Sequence, residues 1–215
     1  MDLALQRKRM VEEQLMARGI KDERVLSAFF KVERHRFIPE ASISAAYGDF
    51  PLPIGEGQTI SQPYIVALMT EALGLKGSES VLEIGTGSGY QAAILAELSA
   101  EVFSIERIEA LSERAKKILS GLGYQNVHLR VGDGTLGWPE NAPFERIIIT
   151  AASFDVPAPL LEQLKDGGRL ILPMGDTFSQ VLTICYKKDG HIEYKQLCGC
   201  VFVPLIGQFA YKKEH

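Results

Sequence analysis

The stretch VLEIGTGSGY, residues 81–90, determines the fold that we predict for this chain. It begins with a run typical of a buried strand and continues with glycine at every second position. Gly85, Gly87 and Gly89 let the backbone turn tightly and approach a ligand, because no Cβ stands in the way. The stretch therefore predicts a strand, a ligand-binding turn and a helix at the carboxyl edge of a parallel sheet. A turn without a ligand is the alternative, since three glycines alone are weak evidence.

Glu83 indicates which ligand this turn suits. A carboxylate two residues before the first glycine would repel a pyrophosphate, whereas it would attract a cofactor with an ammonium and a sulfonium. The spacing G-x-G-x-G also differs from the dinucleotide fingerprint G-x-G-x-x-G. We therefore favour S-adenosylmethionine as the cofactor, with S-adenosylhomocysteine as its product, over NAD.

Two further acids fall at predicted strand ends. Glu106 follows the glycines by roughly 20 residues, where a carboxylate accepts hydrogen bonds from ribose hydroxyls. Asp133 lies between two glycines that allow close approach to an adenine ring. Each acid, taken alone, is as well explained by a helix cap or a solvated loop. The expected cofactor-binding residues are Glu83, Gly85, Thr86, Gly87, Gly89, Glu106, Arg107, Asp133 and Gly134.

Composition limits the classes of function. The chain has 215 residues, is 46% hydrophobic and carries a net charge of −4, so it suits one large domain without a nucleic-acid footprint. We expect no membrane segment, a cytoplasmic location and a monomer. Three cysteines, one of them isolated at Cys185 and two in Cys198-Gly199-Cys200, lack further ligands for a tetrahedral metal site. We interpret them as small core-filling thiols and expect no metal.

The order of predicted elements gives an α/β class, a doubly wound Rossmann-like fold. Residues 1–78 read as a helical extension and substrate loop, with helices over 3–18 and from Asp22, an ordered loop over 51–63 and a helix after it. Residues 79–215 read as the cofactor-binding core of the same single domain. Its predicted strands are 81–84, 102–106, 127–131, 146–150 and 169–173, and its predicted helices are 90–98, 110–122 and 159–164. An antiparallel hairpin over 181–198 turns at Asp189-Gly190.

Four segments together resemble the protein-L-isoaspartate O-methyltransferase family. They are Gly57–Pro63 (GQTISQP), Leu82–Tyr90, Gly132–Gly134 and Phe202–Leu205. The glycine segment is common to many methyltransferases, whereas the T-I-S-Q-P loop is close to diagnostic of this family. The resemblance spans nearly the whole chain.

The resemblance implies methyl transfer from S-adenosylmethionine to the free α-carboxylate of L-isoaspartyl residues, and less well of D-aspartyl residues, in damaged proteins and peptides. It implies that Ser61 is the active-site serine. It further implies a peptide site that contains Gln58, Thr59, Ile60, Val203 and Pro204.

The chemistry of such a reaction explains why no catalytic base is evident. An α-carboxylate with a pKa of roughly 3.3 to 3.7 is already ionised at neutral pH, so the enzyme needs only to orient it. The hydroxyl of Ser61 suits that task by donating one hydrogen bond. From the residues alone, Ser61 reads instead as an N-cap before Pro63, and the family motif reverses that preference.

Three other functions compete with this one. A nitrogen-directed methyltransferase would carry an Asn-Pro-Pro-Tyr-type motif after the fourth core strand, where this chain has Thr150-Ala151-Ala152-Ser153. An NAD-dependent oxidoreductase is disfavoured by Glu83 and by the glycine spacing. A non-catalytic binding module is the third alternative, and a methyl-transfer assay distinguishes it.

Overall fold

The computed structural model describes residues 2–212. The predicted first helix is present, although it changes its winding along its length. Helix α1 (Leu3–Arg9) continues through a wider π-helical segment, Met10–Leu15, and a tighter 3₁₀ turn, Met16–Arg18. It ends at Gly19, which adopts the left-handed conformation (φ 97°) that glycine accommodates without strain.

Helix α2 (Glu23–Lys31) begins where its sequence predicted. The side chain of Asp22 accepts hydrogen bonds from the backbone N–H groups of Arg24 (2.9 Å) and Val25 (3.3 Å). Its carboxylate thereby satisfies donors that the first helical turn leaves free.

Residues 51–63 were predicted to be an ordered loop that leads into a helix, and the loop assignment was wrong in part. Two short strands, β1 (Leu52–Gly55) and β2 (Gln58–Ile60), form an antiparallel hairpin within it. Prolines and glycines are unusual in strands, but an edge hairpin accommodates them. Helix α3 (Pro63–Leu73) follows and starts with proline at its first position.

The α/β alternation predicted for the core is confirmed. The core strands are β3 (Ser80–Ile84), β4 (Glu101–Glu106), β5 (Val127–Val131), β6 (Phe144–Ile149), β7 (Leu164–Gly175), β8 (Gln180–Lys188) and β9 (His191–Cys200). The core helices are α4 (Tyr90–Ala96), α5 (Glu109–Gly121) and α6 (Ala158–Gln163). Short 3₁₀ turns lie at Arg34–Phe37, Glu40–Ala45, Gly134–Leu136 and Pro139–Asn141.

The strands form one seven-stranded sheet in the order β5-β4-β3-β6-β7-β8-β9. Strands β3 to β7 run parallel, and β8 and β9 add an antiparallel hairpin that turns at Asp189 and Gly190, both at positive φ. The chain passes from β3 outward to β5 and then returns to β6 on the other side of β3. The carboxyl ends of β3 and β6 therefore flank the switch point where such sheets bind ligands.

The two faces of the sheet pack differently. The N-terminal helices and α3 to α5 cover one face with a continuous apolar cluster that extends from Met10 to Ile184. The other face packs around Phe144, Leu170 and Trp138. Cys185 is buried on β8 and the other two thiols are partly buried on β9, and none of them forms a disulfide.

Candidate active site

An open cavity lies at the carboxyl ends of β3, β4 and β6. It holds about 910 Å³ of empty volume, its open mouth included. Six segments line it: the hairpin that leads into α3, the glycine turn after β3, the end of β4, the turn after β5, the residues directly after β6 and the C-terminal segment after β9. Of the residues that the sequence predicted for the site, those on its wall are Gln58, Thr59, Ile60, Ser61, Gly85, Thr86, Gly87, Glu106, Arg107, Gly134, Val203 and Pro204.

The glycine turn forms the floor of this cavity. Gly85, Gly87 and Gly89 all have positive φ (98°, 52° and 85°), a conformation that L side chains rarely adopt. A Cβ on Gly85 would collide with the hydroxyl of Thr150, and a Cβ on Gly134 would collide with Ile84. The glycines therefore keep the backbone close to its neighbours and the cavity open, although Gly89 itself is not on the wall and starts α4.

Glu106 anchors the turn from the end of β4. Its carboxylate accepts hydrogen bonds from the backbone N–H of Gly87 (2.8 Å) and from that of Ile108 (2.9 Å). The residue is buried but borders the cavity, and the neighbouring Arg107 is exposed at its edge. Glu106 thus holds the glycine turn and still presents negative charge to the cavity.

Glu83 lies behind the cavity wall. Its side chain is completely buried, and the hydroxyl of Ser104 on β4 is hydrogen-bonded to Oε2. Its other oxygen, Oε1, has no hydrogen-bond partner among the described residues. The pKa of Glu83 is raised to about 8: burial raises it most, the hydrogen bond with Ser104 lowers it, and the nearby carboxylate of Glu106 raises it.

Asp133 is also set back from the cavity. Its Oδ1 accepts hydrogen bonds from the backbone N–H (2.9 Å) and hydroxyl (2.7 Å) of Thr135, and its Oδ2 accepts one from the N–H of Gln208 (2.7 Å). The carboxylate therefore caps the turn after β5 and fastens the C-terminal segment. These bonds match the capping alternative for this residue, and a role towards the cofactor stays a prediction.

Ser61 borders the cavity on the segment between β2 and α3. The N-cap of α3 is Gln62, not Ser61, and the Ser61 hydroxyl forms no hydrogen bond within residues 2–212. The side chain of Gln62 instead bonds to Asp49, at 2.8 Å from its carboxylate, and Asp49 also accepts from the backbone N–H of Tyr64 (3.2 Å). Ser61 therefore lines the cavity with a hydroxyl that has no hydrogen-bond partner among the described residues.

The C-terminal segment after β9 forms a further part of the cavity wall. The backbone of Ala152, just after β6, donates to the carbonyl of Val203 (2.8 Å) and accepts from the N–H of Leu205 (2.7 Å). Pro204, between them, is exposed at the cavity mouth. Two strand-like hydrogen bonds to Ala152 thus hold Val203 and Pro204 on the cavity wall.

Sequence reasoning missed several residues of the wall. Thr150 and Ala151 lie directly after β6, and their position at a strand end was a signal available from the sequence. Tyr90 and Gln91 begin α4, where their apolar context suggested only packing. Ser104 lies behind the wall and contacts Glu83, and it gave no signal, because one serine within a buried strand is unremarkable.

Two further findings concern metals and membranes. Within residues 2–212, no group of three or more His, Cys, Asp or Glu side chains is arranged to hold a metal ion. No helix in that range is long and apolar enough to cross a membrane.

A sheet with this strand order, whose switch point carries a glycine turn beside a buried acid, defines the class of S-adenosylmethionine-dependent methyltransferases with a Rossmann-like fold. Comparisons with known proteins narrow the class. Residues 5–210 match the family model of protein-L-isoaspartate(D-aspartate) O-methyltransferase. The chain belongs to this family, and the resemblance noted from its motifs is confirmed.

Curated relatives agree over the full length. The protein-L-isoaspartate O-methyltransferase of Geobacter metallireducens is 54% identical over 215 residues, which are 100% of both chains. That of Dictyoglomus turgidum is 58% identical over 206 residues, covering 96% of this chain and 93% of the relative.

Solved structures agree in three dimensions. One protein-L-isoaspartate O-methyltransferase has a TM-score of 0.87 at 31% identity. The alignment covers 95% of this chain and 67% of the other chain. A Plasmodium falciparum homologue in complex with S-adenosyl-L-homocysteine has a TM-score of 0.80 at 28% identity. The alignment covers 91% of this chain and 96% of the homologue. The chain is thus an S-adenosylmethionine-dependent methyltransferase, as predicted.

Proposed function

We propose that this enzyme methylates the free α-carboxylate of L-isoaspartyl residues, and less well of D-aspartyl residues, in damaged proteins and peptides. The observation that carries the proposal is the Ser61 hydroxyl, which borders the cavity without a protein partner. Ser61 lines the same cavity as Val203, Pro204 and the glycine turn. Acceptor and methyl donor would meet in this one cavity.

The residues of the cavity fit the cofactor. The glycine turn brings backbone to the cavity wall at Gly85 and Gly87, where a Cβ on Gly85 would collide with Thr150, and Glu83 keeps a buried oxygen without a partner among the described residues. When bound, S-adenosylmethionine supplies a methyl group activated by a sulfonium. In our proposal the turn from Gly85 to Gly89, with Thr86, holds the amino-acid end, and Glu106 and Arg107 border the ribose.

Asp133 and Gly134 occupy a distinct place in the proposed cofactor site. Gly134 lines the cavity, so it offers a flat surface for the adenine ring. Asp133 would support that surface through its hydrogen bond with Thr135. Its hydrogen bond with Gln208 would also hold the C-terminal segment in place. Its contribution to cofactor affinity would then be indirect.

Orientation is the main task left to the protein. The acceptor carboxylate is already ionised at neutral pH, so no base has to remove a proton. A hydroxyl donor at Ser61 fixes one carboxylate oxygen without holding its charge as strongly as a lysine or arginine would. That weaker hold matters because the negative charge is consumed in the transition state.

Peptide recognition would rest largely on the main chain. Two extended segments of the cavity wall would receive the peptide. They are the hairpin residues Gln58, Thr59 and Ile60, and the C-terminal pair Val203 and Pro204. A peptide lying between them can pair with backbone groups and stays tolerant of neighbouring side chains. We infer that proteins with exposed isoaspartyl sites are bound in the same way, by their backbone groups and with tolerance of neighbouring side chains.

We also propose that the enzyme acts as a cytoplasmic monomer that needs neither nucleic acid nor a membrane. The net charge of −4 supports the absence of a nucleic-acid partner.

The test of the proposed function is a paired methylation assay. The protein is incubated with methyl-labelled S-adenosylmethionine and either an isoaspartyl peptide or its aspartyl twin of identical sequence. We expect base-labile methyl esters on the isoaspartyl peptide alone. Equal labelling of the two peptides, or labelling that resists base, would refute the proposed acceptor.

A further inference from the structure

Three side chains form a buried chain of hydrogen bonds that leads from behind the cavity wall to its surface. Glu83 on β3 and Ser104 on β4 are directly paired in the parallel register. Ser104 bonds to the carboxylate of Glu83 on one side and to the hydroxyl of Thr86 on the other, at 2.6 Å. Glu83 and Ser104 are 0% exposed, and Thr86 is the member that borders the cavity.

The direction of this chain depends on the proton of Glu83. A hydroxyl has a single proton to donate. If Glu83 is ionised, Ser104 must donate to it, so Thr86 donates to Ser104 and turns a lone pair to the cavity. If Oε2 carries a proton, Glu83 donates to Ser104, Ser104 donates to Thr86, and the Thr86 proton is free to face the cavity.

The two directions suit opposite ligands. A lone pair at Thr86 accepts from an ammonium group, whereas a free proton repels it. The unpartnered Oε1 of Glu83 leaves the ionised state poorly solvated until a cation is near. The carboxylate of Glu106, at the end of β4, also disfavours ionisation of Glu83 in the absence of a cation.

We propose that Glu83, Ser104 and Thr86 form a proton-switched relay: binding of the cofactor's ammonium group ionises Glu83, releases its proton to solvent and turns Thr86 into an acceptor. Ser104 is then a positioning residue for the cofactor that never touches it. The inference rests on the cofactor site proposed above and extends it. In the cofactor-free protein, burial raises the pKa of Glu83 to about 8, which agrees with a proton present near neutrality.

Calorimetry of S-adenosylhomocysteine binding tests the relay without any methyl transfer. Titrations at pH 7 in phosphate and in Tris, which differ in ionisation enthalpy, count the protons released. We expect on the order of one proton per site for the unaltered protein and none for Glu83→Gln. The affinity of the unaltered protein should rise with pH from about 6 to 8, by at most about tenfold per pH unit, and that of Glu83→Gln should not.

Variants of the other two members separate a relay from direct contact. Thr86→Val keeps the shape of the side chain but loses its hydroxyl, so proton release should disappear, as it should in Ser104→Ala. Thr86→Ser retains the hydroxyl and should retain proton release. Ser99→Ala removes another buried serine hydroxyl, one bonded only to the carbonyl of Leu95, and should change nothing.

Two outcomes would overturn the relay. Proton release that persists in Thr86→Val and Ser104→Ala would mean that Glu83 senses the cofactor directly. Binding of S-adenosylhomocysteine by the unaltered protein with no proton released would mean that Glu83 does not change its protonation. Neither outcome touches the proposed acceptor, which the peptide assay tests separately.

Discussion

The Ser61 hydroxyl is proposed to donate one orienting hydrogen bond to the acceptor carboxylate, so its removal should cost only the rate that this one hydrogen bond supplies. Ser61→Ala should lower kcat by about 10- to 100-fold, the worth of one orienting hydrogen bond of roughly 1.4 to 2.7 kcal/mol. Cofactor affinity should not change, and Ser61→Thr should keep part of the rate. Steady-state kinetics together with binding of S-adenosylhomocysteine measures both quantities. A loss of a million-fold would instead indicate covalent catalysis.

The absence of a base gives a second expectation for the same residue. With cofactor saturating, kcat for an isoaspartyl peptide should be flat from about pH 6 to 8, because the acceptor is ionised throughout. Circular dichroism at each pH verifies that the protein stays folded. A sigmoidal rise centred near neutrality would reveal a hidden general base and would remove Ser61 from its central role.

Glu83 makes the stability of the cofactor-free protein depend on pH. Burial raises its pKa from 4.5 to about 8, so between these values the folded state retains a proton that the unfolded chain has lost. Stability attributable to Glu83 is therefore present at low pH and declines as pH rises through this window, by at most about 1.4 kcal/mol per unit. Glu83→Gln cannot titrate, so its free energy of unfolding relative to the unaltered protein should rise between pH 5 and 8. Urea denaturation at several pH values measures it, and a constant difference would contradict the prediction.

At the scale of elements, the segment that carries Ser61 is held by Asp49. This carboxylate bonds to Arg18, to Gln62 and to the backbone N–H of Tyr64, and so joins the N-terminal helix to the start of α3. Asp49→Ala should leave cofactor affinity unchanged and lower kcat more than it alters KM, by about tenfold, because Ser61 loses its fixed position.

A matched control for Asp49 is Glu140→Ala. Glu140 forms an ion pair with Arg130 (3.1 Å) away from the cavity, so its loss should not alter the kinetics. If Asp49→Ala raised KM for the cofactor instead, the element would serve the cofactor and not the acceptor.

Some elements were predictable from the sequence and others were not, for identifiable reasons. The glycine turn and α2 were predictable because backbone conformation there depends on local residues, glycine at positive φ and Asp22 as a cap. The β1–β2 hairpin was missed because prolines and glycines argue against strands, and only packing on the core overrides them. Strand β7 was predicted as 169–173 but begins at Leu164, because Leu164 pairs with Phe144 of β6 before an irregularity in the register that contains the polar residues 165–168.

Part of the candidate site follows from the order of the chain. Residues at strand ends meet at one sheet edge, so Gly85 and Glu106 were proposed from their positions, whereas Val203 was proposed from the family resemblance, and all three line the cavity. The sequence did not reveal which acids face the cavity, because orientation depends on register across strands. Glu83 faces Ser104 only because β3 and β4 pair in that register, and Asp133 is occupied by Thr135.

At the scale of the whole molecule, the helical extension and the sheet share one core. The apolar cluster that begins at Met10 reaches Ile184 on β8 without a break. Trp138, the single tryptophan, packs on the opposite face of the sheet from the extension. The packing supports the prediction that residues 1–78 and 79–215 form one domain.

This shared core predicts cooperative unfolding of the cofactor-free protein. Trp138 fluorescence reports the far face of the sheet, and far-UV circular dichroism reports all helices, the N-terminal ones included. Because removal of the extension would expose Met10, Leu15 and Phe29 together with the sheet face beneath them, the two signals should give the same urea midpoint and the same slope. Phe29→Ala, in the extension, should shift both midpoints equally and cost about 3 to 5 kcal/mol. If the dichroism lost its helical signal at a lower urea concentration than the fluorescence changed, the extension would be a separately folding unit.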